Sequence, residues 1–395
     1  MTGSGSPQRG RIESVDLVRG IIMIVMALDH VRDFLGVPTG NPTDPATTTV
    51  ALFFTRWVTH FCAPVFFLLT GTSARLSLGR KTRGELSRFL WTRGLWLILL
   101  DTVVLRCLAY QWNVDFHVTL LLVLWALGGS MIVLSALIHL PSRVVAIIGA
   151  VLVIGHNLLD GVNAQTFGAL APVWSILHGP GMVITGPDHV VFANYPLIPW
   201  IGVVALGWCL GAVYAWPAER RRAWLLRMGG GLTGAFLVLR ACNLYGDPSP
   251  WAAQRTLVAT VLSFLNTTKY PPSLAFLLMT LGPALLALRA LEGPPPRWLE
   301  PARIFGKVPM FYYLVHFPLI HLVAVIVSAL RFGTIHGMFE SPTLAQYPVT
   351  FPPGWGFALP GVYAAWIGIV AAMYPLCRWY AAWKQRRRDW WLSYL

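Results

Sequence analysis

Apolar segments of about 20 residues, the length needed to cross roughly 30 Å of hydrocarbon, recur from one end of this sequence to the other. Nothing constrains its fold more. A chain in lipid must pair every backbone N–H and C=O internally, which leaves helices or closed barrels, and segments this long and continuously apolar read as helices. Spans are expected at about 15–36, 51–73, 94–110, 118–138, 144–159, 196–216, 230–244, 273–291 and 308–330, with a tenth ending near residue 380. Composition agrees: the 395 residues are 56% hydrophobic and only 12% charged, where soluble domains carry roughly a quarter charged.

A net charge of +14 suits nucleic acid until the charges are placed. The segments "RLSLGRKTRGELSRFLWTR", "ERRRAWLLR" and "EGPPPRWLEPAR" and the closing "LCRWYAAWKQRRRDWWLSYL" all fall on one side of the spans, whereas "VPTGNPTDPATTT", residues 160–195 and "GMFESPTLAQYPVTFPPGWG" lack Lys and Arg. The positive-inside rule then makes both termini cytoplasmic and accounts for the charge without a nucleic-acid partner. The expected class is an all-α polytopic membrane helix bundle with about ten transmembrane helices, a multi-pass integral protein of the plasma (inner) membrane. Residues 1–14 read as a cytoplasmic leader, 15–380 as one transmembrane domain and 381–395 as a cytoplasmic tail whose interleaved Trp and Arg suit the lipid headgroup layer. No small-residue cleavage site follows the first span, which is expected as an uncleaved signal anchor.

Five scattered cysteines without CxxC spacing indicate neither disulfides nor zinc. His316 and His321 are five apart, whereas one helix face chelates metal at a spacing of four, and no metal is expected. G-x-S-x-G and nucleotide-binding glycine loops are absent, and Gly71–Ser73 reads as small-residue helix packing.

Ionisable residues within spans cost about 2.5–3.5 kcal/mol each at mid-bilayer and face protein or water. In "RGIIMIVMALDH", eleven residues at about 100° each bring His30 onto the face of Arg19, roughly 16 Å along the axis. Met23 and Met26 lie between them, and Asp16 and Asp33 extend the stripe. The stripe reads as a path; the plainer alternative has Arg19 obeying the positive-inside rule and His30 snorkelling to the interface. His60, Asp101, Arg106, His156, Asn157, Asp160, Asn266, Lys269, His316 and His321 fall at similar depths, as a polar cavity open to the outer face requires. Taken singly, a histidine is also explained as a satisfied core residue, and Asp101 as a partner of Arg106.

"RIESVDLVRGIIMIVMALDH", "THFCAPVFFLLTGTSARL", "FGKVPMFYYLVHFPLIHLVAV" and the closing basic segment together resemble the heparan-alpha-glucosaminide N-acetyltransferase-like membrane proteins, and the arginine-to-histidine spacing is similar to that of the acyltransferase-3 enzymes of the same broader group. The resemblance implies an acyltransferase that takes an acetyl or other acyl group from cytoplasmic acyl-CoA, acetyl-CoA in the first instance, to an extracytoplasmic glycan or lipid acceptor, with membrane lipids as its surroundings. By the same resemblance Arg19 and Asp16 hold the CoA end. His30 serves as base or acyl carrier, oriented by Asp33 or Asp101, with His60 and His316 sharing the site. Lys269 and Arg106 steady the thioester oxygen, and Asn157 and Asn266 meet the acceptor. Animal lysosomal members carry their active histidine in the loop after span one, but "GVPTGNPTDPATTTV" has none, so His30 and His60 both stand as candidates. A transporter or flippase using the same cavity, and a scaffold whose polar groups only join helices, are the competing classes.

Overall fold

The computed structural model describes residues 12–38, 40–387 and 389–394, so most of the expected leader lies outside the described residues. The fold is helical throughout, with one small sheet. Helix α1, Glu13–Leu35, carries the Arg19–His30 stripe. The second apolar segment is divided: α2, Val50–Thr59, ends at His60, and α3, Cys62–Leu76, begins again with Pro64 in its first turn, where a missing N–H costs no intrahelical bond. Helix α4, Arg83–Leu99, opens on a capping box between Thr82 and Glu85 and continues as a wider, π-helical stretch, Leu100–Tyr110.

The expected fourth span starts differently. Val118–Leu121 is strand β1, and only Val123–Leu137 is helix α5. After α6, Ser142–Gly155, the long connection contains α7, Ala171–Leu177, and strands β2, Gly181–Thr185, and β3, Val190–Ala193. β3 lies between the other two, parallel to β1 and antiparallel to β2. The remaining helices are α8, Leu197–Val213; α9, Ala218–Cys242; α10, Leu257–Leu265; α11, Leu274–Ala290; α12, Glu300–Lys307; α13, Pro309–Phe332; and α14, Leu359–Gln385.

Among the described residues, five helical segments are long and apolar enough to cross a membrane: 50–79, 142–159, 218–242, 309–332 and 359–385. Helices α5, α8 and α11 are apolar but shorter. Ile147, Val151 and Ile154, on one face of α6, are all more than half exposed, the pattern of a helix turned to lipid. One further expectation changes in detail. α9 begins twelve residues before the expected residue 230 because the Arg- and Glu-rich segment continues the helix rather than forming a loop.

The bundle is drawn together by glycines that let backbones touch. A Cβ at Gly71 of α3 would stand 2.0 Å from the Val204 carbonyl oxygen of α8, and one at Gly207 would stand 2.1 Å from that of Leu68. Thr72 adds a hydrogen bond to the Gly207 carbonyl at 3.1 Å, so the Gly71–Ser73 segment is helix packing, as its small residues indicated. At the Arg19 end of α1 the contact with α12 is as close: a Cβ at Gly20 would lie 1.7 Å from the Ala302 oxygen, and one at Gly306 would lie 1.8 Å from that of Asp16. Trp200, Trp208 and Phe67 are fully buried where α3 meets α8.

Candidate active site

Two cavities meet along α1. The first, of about 860 Å³, is lined by the His30 end of α1, by Arg56 of α2 and by the 345–359 segment. The second, of about 320 Å³, runs beside Met23 and Met26 and reaches Arg19, Ser73 and Arg93. Asp29, His30, Val123, Tyr195, Lys269 and Tyr313 line both. The helical stripe inferred from spacing is therefore a cavity wall, with Arg19 at one end and His30 at the junction.

His30 is held by α13. Its ring stacks on Phe317 with centroids 4.0 Å apart, and its Nδ1 lies 2.8 Å from Nε2 of His316. His316 is fully buried, and its Nδ1 is 2.9 Å from the Tyr312 carbonyl oxygen. A carbonyl only accepts, so His316 carries its proton on Nδ1 and presents Nε2 as an acceptor. His30 must then donate from Nδ1. In the neutral ring this leaves the Nε2 lone pair of His30 unprotonated, the state a base or nucleophile requires.

Beside this dyad lies an ion-pair cluster. Asp29 pairs with Arg32 at 2.9 Å and accepts a short hydrogen bond from Arg56. Arg56 also reaches Thr59 Oγ1 at 3.2 Å. Lys269 stands over the Tyr270 ring at 5.1 Å, and the Tyr270 hydroxyl donates to that of Tyr195 at 3.4 Å. At the other end of the stripe Arg19 pairs with buried Asp16 at 3.0 Å and donates to Ser73 Oγ at 2.7 Å and to the Gly306 carbonyl at 3.3 Å. Asp16 thus anchors the guanidinium rather than facing either cavity.

Several expected placements are corrected. Asp33 pairs with Arg32 at 2.5 Å on the rim of the first cavity, and the nitrogen of His30 it was expected to orient is engaged by His316. Asp101 neither pairs with Arg106 nor approaches His30: its Oδ2 accepts the Leu122 and Trp125 N–H groups at 2.8 and 3.0 Å, capping the start of α5 from another element. Arg106 binds Asp115 at 2.5 Å and the Asn113 carbonyl at 3.1 Å, ordering the turn into β1.

Asn157 accepts the Leu274 N–H at 2.9 Å and donates to Asp160 at 2.7 Å. Asn266 ends α10, with its backbone carbonyl bound by Arg240 at 2.7 Å. His60 packs against Phe276 with ring centroids 5.4 Å apart and lines neither cavity. Of the acceptor-side and oxyanion candidates, Lys269 alone reaches the junction.

Asp29, Arg56, Arg93, Tyr270 and Tyr313 were not singled out from sequence as site residues. Asp29 and Arg56 carried a signal, since each is a charge within an apolar segment. Arg93 is hidden among the basic residues of "KTRGELSRFLWTR", and the tyrosines carry no local signal.

A family model described as the catalytic region of a heparan-alpha-glucosaminide N-acetyltransferase matches residues 11–239, more than half of the chain. Among curated proteins none matches. The match covers α1 to α9 but ends before Lys269 and α13, so the His316 half of the dyad lies beyond it.

Proposed function

We propose, from the premise that the chain belongs to the heparan-alpha-glucosaminide N-acetyltransferase catalytic family, that this integral membrane protein transfers the acetyl group of acetyl-CoA to an extracytoplasmic amino-sugar glycan or lipid-linked acceptor at His30. The observation that carries the reading is the Tyr312–His316–His30 chain, which leaves an acceptor nitrogen on a residue lining both cavities. The second cavity takes the pantetheine arm, with Arg19 and Arg93 at its phosphate end. The first takes the acceptor.

In the direct reaction His30 Nε2 removes the proton of the acceptor amine or hydroxyl as that atom attacks the thioester carbonyl. The C–S bond then breaks, and the proton passes from His30 to the departing thiolate. Lys269 stabilises the negative charge on the carbonyl oxygen, and His316 keeps the imidazole in the required tautomer. About ten spans, residues 15–380 as the catalytic domain and cytoplasmic placement of both termini complete the proposal. On this topology the Arg19 end opens to the cytoplasm of a cell whose inner membrane holds the protein.

Labelled acetyl-CoA supplied to purified protein in vesicles, with glycan and lipid acceptors, tests the reading. Label is expected on an acceptor, and the transfer should fall by about 10²–10⁴ in His30→Ala. Unchanged transfer in His30→Ala removes the base from this residue, and movement of acceptor without acetylation replaces the enzyme by a transporter. A burst of CoA release without acceptor signals an acetyl-imidazole intermediate instead of direct transfer.

A further inference from the structure

Apart from the cavities, a second cluster of coordinating side chains stands where the long 160–195 connection folds back on the bundle. His156 and Asp160 lie in the turn after α6, and His178 ends α7. One donor atom from each lies within 4.8 Å of the other two. His178 Nε2 is 3.1 Å from Asp160 Oδ1. The other carboxylate oxygen is held by Asn157 at 2.7 Å, and Asn157 is itself fixed by the Leu274 N–H. Metal-binding carboxylates are commonly oriented by such an outer hydrogen bond.

The independent observation is His156. Its side chain is 98% buried (relative exposure 2%), yet among the described residues neither ring nitrogen has a hydrogen-bond partner; the Pro272 carbonyl is near but outside hydrogen-bonding geometry. The Nδ1 of His178 is likewise buried without a partner. Orphaned buried polar groups cost about 1–3 kcal/mol each, and here they sit on two imidazoles facing one carboxylate.

We propose that His156, Asp160 and His178 form a binding site for a divalent transition metal of the zinc class. Two neutral imidazoles and one carboxylate make a three-ligand set that leaves a fourth position of a tetrahedron for water. On binding, the His178 proton moves from Nε2 to the unpartnered Nδ1, and the metal takes its place opposite Asp160 Oδ1. The site clips α7 to the end of α6, next to the Pro272–Leu274 start of α11, and so closes the connection over the bundle. This metal is structural and independent of the acetyl-transfer reading.

Cobalt(II) titration of the full-length protein, purified without a polyhistidine tag and stripped with chelator, tests the proposal. The expected result is about one equivalent bound with the visible absorption of a four-coordinate site, displaced by zinc, and a higher thermal midpoint with zinc than with chelator. Both effects should disappear in His156→Ala and His178→Ala and persist in His139→Ala. His178→Cys, which keeps a ligand, should retain binding and add a sulfur-to-cobalt charge-transfer band. Absence of four-coordinate cobalt in the native protein, or binding equal in native and His178→Ala protein, overturns the proposal whatever the acetyltransferase activity.

Discussion

Replacement of His316 by Phe isolates the dyad from the rest of the site. The ring volume is nearly kept, so stacking among Tyr312, His30 and Phe317 survives, but the acceptor 2.8 Å from His30 Nδ1 is removed. A buried donor left without its acceptor costs about 1–3 kcal/mol, and the ring is freed to turn its Nε2 away from the junction. If that cost falls on the transition state, kcat drops roughly 5- to 150-fold at tenfold per 1.36 kcal/mol.

The KM for acetyl-CoA should hardly change, because His316 lines neither cavity. The assay is labelled acetyl transfer in vesicles at saturating donor and acceptor, with size exclusion and thermal midpoint confirming a folded protein. His316→Gln, whose side-chain carbonyl can accept the same hydrogen bond, should recover part of the rate. Since His316 acts only through the His30 ring, His30→Ala/His316→Phe should be no slower than His30→Ala alone. A folded His316→Phe enzyme with native kcat, or a double variant in which the two losses multiply, refutes the dyad.

Gly306→Ala should lower the thermal midpoint in detergent by the equivalent of about 1–3 kcal/mol or more, because the new methyl group meets backbone 1.8 Å away and forces α12 off α1. Asp101→Ala should destabilise by about 1–3 kcal/mol by removing the acceptor of two N–H groups at the start of α5, whereas Asp101→Asn keeps an acceptor oxygen and should lose less; equal chemical-denaturation midpoints for the two contradict the capping role. Arg93→Met should raise the KM for acetyl-CoA roughly tenfold, the lower end for a lost charge-assisted hydrogen bond, with little change in kcat; steady-state kinetics at varied donor would expose a kcat defect instead.

The legible part of the site was the part written along one helix. Arg19, Met23, Met26 and His30 share a face by the helical period alone, and all four line the second cavity. Polar residues grouped by depth fared differently. Lys269 faces the junction, while Asp101, Arg106 and Asn157 are spent on a helix start, a turn and a neighbouring backbone N–H. Depth is set by position along a span, but facing is set by rotation about its axis, and the two are independent. The sheet was missed for a related reason: Val118–Leu121 is apolar enough to extend a span, but it pairs with β3 instead.

Local chemistry by itself determined that this chain enters a membrane, that most of its long apolar segments are helical, and that one helix carries a cation and an imidazole on a single stripe. These follow from hydrophobic length and the 3.6-residue period, which need no partner. Tertiary structure alone decided that His316, 286 positions away, orients His30, that Asp29 is tied to Arg32 and Arg56, and that two cavities meet at that imidazole. Such pairings depend on how distant helices pack and on which buried donors must find acceptors, quantities that arise only when the bundle closes.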